Sequence, residues 1–169
     1  ESGNGFTVIL KADGTVWALG KNDVGQLGDG TNEDRIEAVQ VKIDQINYLT
    51  NIRKIAVGQS HTLALTNDGK IYSWGLNTYG QLGNNTKENS NYASLVLGEG
   101  GSENLEKIVD ISAGSYGSSA INEFGWAFIW GNGSYGEMGN ATTVTNLTPI
   151  KTMLNNVVSV SCGDGRHQL

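Results

Sequence analysis

Apolar positions in this chain come in short runs with a period of about two. The runs Ile52-Arg53-Lys54-Ile55-Ala56-Val57, Ile108-Val109-Asp110-Ile111-Ser112-Ala113 and Val157-Val158-Ser159-Val160-Ser161-Cys162 share one alternating pattern. β-branched and aromatic residues fill such runs, and turn signals bound them, which predicts strands rather than helices. Ala12-Asp13-Gly14-Thr15 and Asn67-Asp68-Gly69-Lys70 predict hairpins, because Asp-Gly accepts the positive φ of a two-residue loop. Glu123-Phe124-Gly125 keeps only the glycine of that signal. In the strand Lys70-Ile71-Tyr72-Ser73-Trp74, one face carries Tyr72 and Trp74 and the other Ile71 and Ser73. Trp17 and Leu19, and then Phe128 and Trp130, stand in the matching places. Neither face is strongly charged, so both must be covered. A sheet stacked between two neighbouring sheets meets that demand, and such a sheet is the blade of a β-propeller.

The pattern is a repeat. Asp13–Gly28 (DGTVWALGKNDVGQLG), Asp68–Gly83 (DGKIYSWGLNTYGQLG) and Phe124–Gly139 (FGWAFIWGNGSYGEMG) align, with Gly20, Gly75 and Gly131 in register at steps of 55 and 56 residues. Upstream, GNGFTVIL, GQSHTLAL and GSYGSSAI align as well, and GDGRHQL at Gly163 opens a fourth copy. The alternating strand stands ahead of the second, third and fourth copies, and the first copy lacks it. The units expected are 3–57, 58–113 and 114–162, with a start at 163–169, in one partial propeller over 1–169. Both ends fall inside units, so a piece of a longer protein is the expectation.

The residues G-x-x-H-T-x-A-L, then D-G, then W-G-x-N-x-x-G-Q-L-G, at Gly58 to Gly83, resemble the repeat of the regulator of chromosome condensation family. The first copy departs at Phe6 and Leu19, and the third at Gly117 and Met138. The resemblance covers nearly the whole chain apart from the loops. It implies a seven-bladed propeller of four-stranded blades. The fold class expected is therefore all-β: four-stranded antiparallel blades, about three of them, in an incomplete ring. Members of the family include a nucleotide-exchange factor for a small GTPase, protein-binding modules of larger chains, and a secreted β-lactamase inhibitor. No exchange-factor contact residue can be matched to a position here, so that activity is not carried over.

Charge narrows the partners. The 169 residues carry a net charge of −6, which repels phosphate backbones and anionic lipid surfaces. Neither nucleic acid nor membrane is an expected partner. With 24 glycines and one proline, the composition suits many turns between short strands. A single cysteine, Cys162, excludes an intrachain disulfide. Low basic content and asparagine-rich loops suggest a bacterial protein, at the cell surface or secreted.

Candidate chemistry is sparse. Gly25-Gln26-Leu27-Gly28 and its copies invite a phosphate-loop reading, but no P-loop lysine and no helix follow. Scaffold glycines, with Leu27, Leu82 and Met138 dropping into the core, account for the motif better. The resemblance implies that His61, at the G-x-x-H position, is structural and bonds backbone near a turn; His167 stands five residues after Cys162 with no second pair for zinc. Neither a calcium-loop spacing nor a Gly-x-Ser-x-Gly elbow is present. No catalytic, cofactor or metal residue is therefore expected, and the chain is not expected to be an enzyme.

The segments Asp29–Asn51 and Asn84–Glu106 differ between copies and read as long polar loops. Loops on a rigid scaffold are where binding is usually placed. Tyr48 and Tyr92 are the aromatic anchor candidates, and Glu33 and Asp34 the charged ones. Tyr79 and Tyr135 occupy equivalent repeat positions, which suggests packing. The expected function is a non-catalytic protein–protein interaction scaffold. The alternatives are self-assembly through open blade edges, giving a homo-oligomer, or a small-molecule, carbohydrate or hydrolytic site built from inter-blade loops.

Overall fold

The computed structural model describes residues 1–101, 103–136, 138 and 142–163. Three antiparallel sheets follow one another along the chain. Sheet 1 holds β1 (Phe6–Leu10), β2 (Val16–Gly20) and β3 (Arg35–Gln40). Sheet 2 holds β4 (Ile52–Val57), β5 (His61–Thr66), β6 (Ile71–Gly75) and β7 (Ser90–Leu95). Sheet 3 holds β8 (Ile108–Ala113), β9 (Gly117–Asn122), β10 (Ala127–Gly131) and β11 (Asn146–Lys151). In each sheet the strands lie in sequence order, which is the meander of a propeller blade. The first strand of sheets 2 and 3 comes from the end of the preceding sequence unit, so unit and sheet are offset by one strand.

The hairpin turns form where expected, with a different loop length. Thr66 and Lys70 bond each other across Asn67-Asp68-Gly69, and Lys11–Thr15 and Asn122–Trp126 do the same. The loops thus hold three residues, not two. A type I turn closed by one left-handed residue needs positive φ only at the glycine, here +78° at Gly14, +80° at Gly69 and +75° at Gly125. That is why the third turn keeps its shape with glycine alone. Gly75, in the register column, has φ +98°, and a β-carbon there would collide with the Ser60 carbonyl oxygen.

Two expectations need correction. The segments read as loops contain the fourth strands, β3 and β7. These are outermost strands, and their mostly half-exposed side chains leave only a faint hydrophobic alternation to read. Conversely, Val157–Cys162 forms no strand in the described residues. The first strand of a blade pairs with the second, as β4 pairs with β5, and the segment that would follow here begins at 164, outside the described residues. His167 and most of the fourth start, 163–169, also lie outside them.

Packing follows the two-faced strands. Tyr72 and Trp74 of sheet 2 join Phe6, Val8, Val16 and Ala18 of sheet 1 in one core. From the opposite face Leu63, Leu65 and Ile71 join Ile111, Ala120, Phe128 and Trp130 of sheet 3 in a second. Sheet 2 is therefore covered on both sides. Leu27, Leu82 and Met138 are fully buried, as scaffold glycine loops require.

Candidate protein-interaction surface

The first two blades each carry a loop held by one buried asparagine. Asn22 accepts the Leu27 N–H at 2.9 Å through Oδ1. Its Nδ2 donates toward Asp29 Oδ1, Thr31 O and Glu33 O at 3.2, 3.0 and 3.1 Å. Asn77 repeats the arrangement with Leu82, Asn84, Thr86 and Glu88. One side chain thus ties the glycine loop to the rim segment after it, with no sheet hydrogen bonds available there. The sequence singled out neither asparagine, although the recurrence of the asparagine in W-G-x-N was the signal that could have found them.

The loops also latch the blades together. Trp74 Nε1 donates to the Gln26 carbonyl of the preceding blade at 3.0 Å, and Trp130 Nε1 to the Gln81 carbonyl at 2.9 Å. Between sheets 2 and 3 the Gln81 carbonyl also accepts from Ser118 Oγ at 2.8 Å. His61 Nε2 lies 2.9 Å from that same Oγ. Since the serine proton points at Gln81, His61 donates and its Nδ1 is bare, buried without a partner. His61 thus bonds a side chain of the next blade rather than local backbone. Burial pushes its pKa down to about 4, so it stays neutral. The pair is no nucleophile–base dyad: the serine proton is committed to a carbonyl, His61 is fully buried, and no carboxylate orients the imidazole.

Cys162 is half-buried beside Ser119 Oγ at 3.1 Å. Burial pushes its thiol up, against its hydrogen bonds with Ser119 and Ser112, which disfavours the thiolate. Among the described residues no cluster of His, Cys, Asp or Glu could hold a metal ion. No helix of the described residues is long and apolar enough to cross a membrane.

The four residues proposed for partner contact are scattered. Tyr48 is 49% exposed, with Lys42 Nζ 5.7 Å from its ring centre. It lines a groove of about 450 Å³ with Trp17, Arg35, Gln40 and Lys42. Glu33 sits beside that groove, 3.5 Å from Arg35 Nη1, and its backbone carbonyl serves Asn22. Asp34 accepts the Asn22 N–H at 2.8 Å, so its carboxylate is occupied in shaping the loop. Tyr92 lies on β7, not in a loop, and its half-buried ring covers Gly30 of the neighbouring blade. The structure thus joins Tyr48 with Glu33 through Arg35 and keeps Asp34 and Tyr92 out of that groove. Asp29, which the sequence did not single out, anchors Arg35 at 2.8 Å. Burial opposes its charge, yet hydrogen bonds from Thr31 and Arg35 outweigh burial and hold its carboxyl below the ordinary range. Tyr79 packs on Tyr116, ring centres 5.1 Å apart, whereas Tyr135 is 59% exposed.

Known proteins share this architecture. The profile of the Regulator of chromosome condensation (RCC1) repeat matches residues 13–65, 68–121 and 125–166. Human probable E3 ubiquitin-protein ligase HERC4 is 37% identical over 162 residues, covering 93% of this chain and 15% of that protein. Human E3 ubiquitin-protein ligase HERC2 is 34% identical over 144 residues, covering 82% of this chain and 3% of its own length. The ultraviolet-B receptor UVR8 of Arabidopsis thaliana is 29% identical over 169 residues, 99% of this chain and 37% of the receptor. Human WBSCR16 superimposes with a TM-score of 0.80 at 22% identity over 96% of this chain and 41% of that one. Prp20p of Saccharomyces cerevisiae, described as binding Gsp1p and histones, gives 0.79 at 24% identity over 99% and 41%. The chain therefore spans well under half the length of these relatives. With the repeat profile matched three times, and the tryptophan latch and asparagine-held loop each built twice from its motif, the chain belongs to the regulator of chromosome condensation repeat family.

Proposed function

We propose that this chain is a non-catalytic protein–protein interaction scaffold within a propeller of its family, and that Tyr48 and Glu33 on the rim of sheet 1 contact the partner. One observation carries the reading. The repeated polar side chains, Asn22 and Asn77 and the two indoles of Trp74 and Trp130, are used inside the blades and seams, whereas the copy-specific Tyr48 and Arg35 stand on the rim beside Glu33. Tyr48 and Arg35 there provide an aromatic anchor and a planar cation, the types enriched at interface centres. Prp20p, which shares the fold, is described as binding proteins, which agrees with this direction. Asp34 and Tyr92 act as supports of that rim rather than as contacts.

A photo-crosslinking residue at Tyr48 tests the reading, with the captured protein then purified and titrated. The expected result is direct binding that Tyr48→Ala with Glu33→Lys weakens by about tenfold or more. A small-molecule ligand that raises the melting midpoint through the groove, with no protein captured, would overturn it.

A further inference from the structure

At the hairpin-turn end of sheet 3, several residues depart together from the first two sheets. The turns of sheets 1 and 2 carry Asp13 and Asp68, each paired to a lysine of its own turn, Lys11 at 3.4 Å and Lys70 at 3.8 Å. Phe124 takes that place in sheet 3 and is 59% exposed. Asn122 Oδ1 shapes the turn instead, accepting the Phe124 and Trp126 N–H groups at 3.1 and 3.0 Å, so the loop does not depend on the phenyl ring. Lys107 replaces Asn51 in the left-handed position just before the first strand of a sheet, at φ +58° against +64°. Asparagine adopts that conformation far more readily than lysine. The Lys107 Nζ lies 4.9 Å from the Phe124 ring centre and 3.3 Å from Glu123. Trp126 stands where the first two turns have Thr15 and Lys70, and Lys151 Nζ lies 3.0 Å from its ring centre.

The exposure of this corner does not come from an uncovered sheet. Asp68 holds the equivalent place in sheet 2, which has a neighbour on both sides, and its side chain is still 57% exposed. Trp126 packs against the core between sheets 2 and 3, and Lys151 pairs across the strands with Phe128 of that same core. Charge and shape select the ligand. Lys107 is answered by Glu123, whereas exposed Lys151 has no carboxylate partner among the described residues. An ammonium resting on an indole face keeps its charge for a further anion, and the phenyl ring beside it offers an apolar contact. The net charge of −6 disfavours a long polyanion and favours a short segment with few acids. We propose that this corner docks a peptide segment of a partner protein, in which a carboxylate meets Lys151 and a neighbouring apolar or aromatic side chain covers Phe124. The surface is separate from the rim of sheet 1 and is independent of what that rim binds.

Titration of a short fluorescein-labelled peptide, glutamates around one phenylalanine, with the full chain tests the proposal by fluorescence polarisation. Dissociation in the range of about 10–100 µM is expected. Replacing its phenylalanine by alanine, or its glutamates by lysines, should weaken binding at least about tenfold. Phe124→Asp, which restores the residue of the first two turns, and Lys151→Glu should each weaken the original peptide about tenfold at an unchanged melting midpoint. If Phe124→Asp lowers the midpoint, Lys151→Glu decides, together with the Trp126 indole N–H, which should shift more on titration than the other indoles. Tyr48→Ala should bind as the native chain does. No binding up to about 1 mM, equal binding of the alanine peptide, or an affinity indifferent to Lys151→Glu would overturn the proposal. So would binding of heparin or of phosphatidylserine vesicles that Lys151→Glu abolishes, which would make the corner a general anion site. Each of these outcomes leaves the reading of the sheet 1 rim standing, whereas a loss on Tyr48→Ala alone would move the peptide to that rim and overturn this one.

Discussion

His61 shows how much one side chain can carry. Its pKa lies below the ordinary histidine value in the folded chain, at about 4, because burial disfavours the charge. The stability that depends on its neutrality is complete above pH 6.5 and is lost as pH falls toward 4, since the unfolded chain takes up the proton first. The loss attributable to this residue is on the order of 3 kcal/mol. Phe6 occupies the same place in the first copy, so His61→Phe is an available control. Urea melts from pH 7 to pH 4 should fall more steeply for the native chain than for the variant, and parallel curves would refute the assignment. Asn77 is the second case. It serves the Leu82 N–H and two rim carbonyls with one buried amide, so Asn77→Ala strands several polar groups at once. A cost of about 3 kcal/mol by urea titration is expected, against well under 1 kcal/mol for an exposed rim residue such as Lys87.

Between elements, the tryptophan latches are alike in kind but differ in backup. Gln81 O keeps the Ser118 hydroxyl if Trp130 is changed. In the first seam Thr62 holds the place of Ser118, and its hydroxyl is buried with no partner. Trp74→Phe should therefore cost more than Trp130→Phe, by about 1 kcal/mol in denaturant titration, because it leaves the Gln26 carbonyl bare. Thr62→Val removes the stranded hydroxyl and should be neutral or stabilising by up to about 1 kcal/mol. A clear loss of stability on Thr62→Val would mean that this hydroxyl is bonded after all. The rim strands teach the opposite lesson. β3 and β7 were not legible as strands, because an outer strand in a meander has one ladder partner and little burial, and its side chains lose the alternation.

For the whole molecule, stability is graded along the stack. Every residue of β5 is buried, whereas none of β3 is. Native-state hydrogen exchange should therefore release β3 amides first and β5 amides last, with β9 close to β5. Equal protection in β3 and β5 would refute the gradient.

By itself, the sequence determined the blade and its family. A period of two, turn glycines and a unit repeated three times leave a strand apolar on both faces no other way to be covered. The burial of Leu27, Leu82 and Met138 followed from the same pattern. Only the tertiary structure decided where the polar repeat residues point. His61 and Ser118 lie 57 residues apart, in different blades, and no local pattern encodes a bond between them. The same holds for the latches from Trp74 and Trp130, for the bond of Asp34 to the Asn22 N–H and for the place of the Tyr92 ring over Gly30. Local spacing fixes which face a side chain occupies. Which neighbour it meets there depends on how the sheets stack.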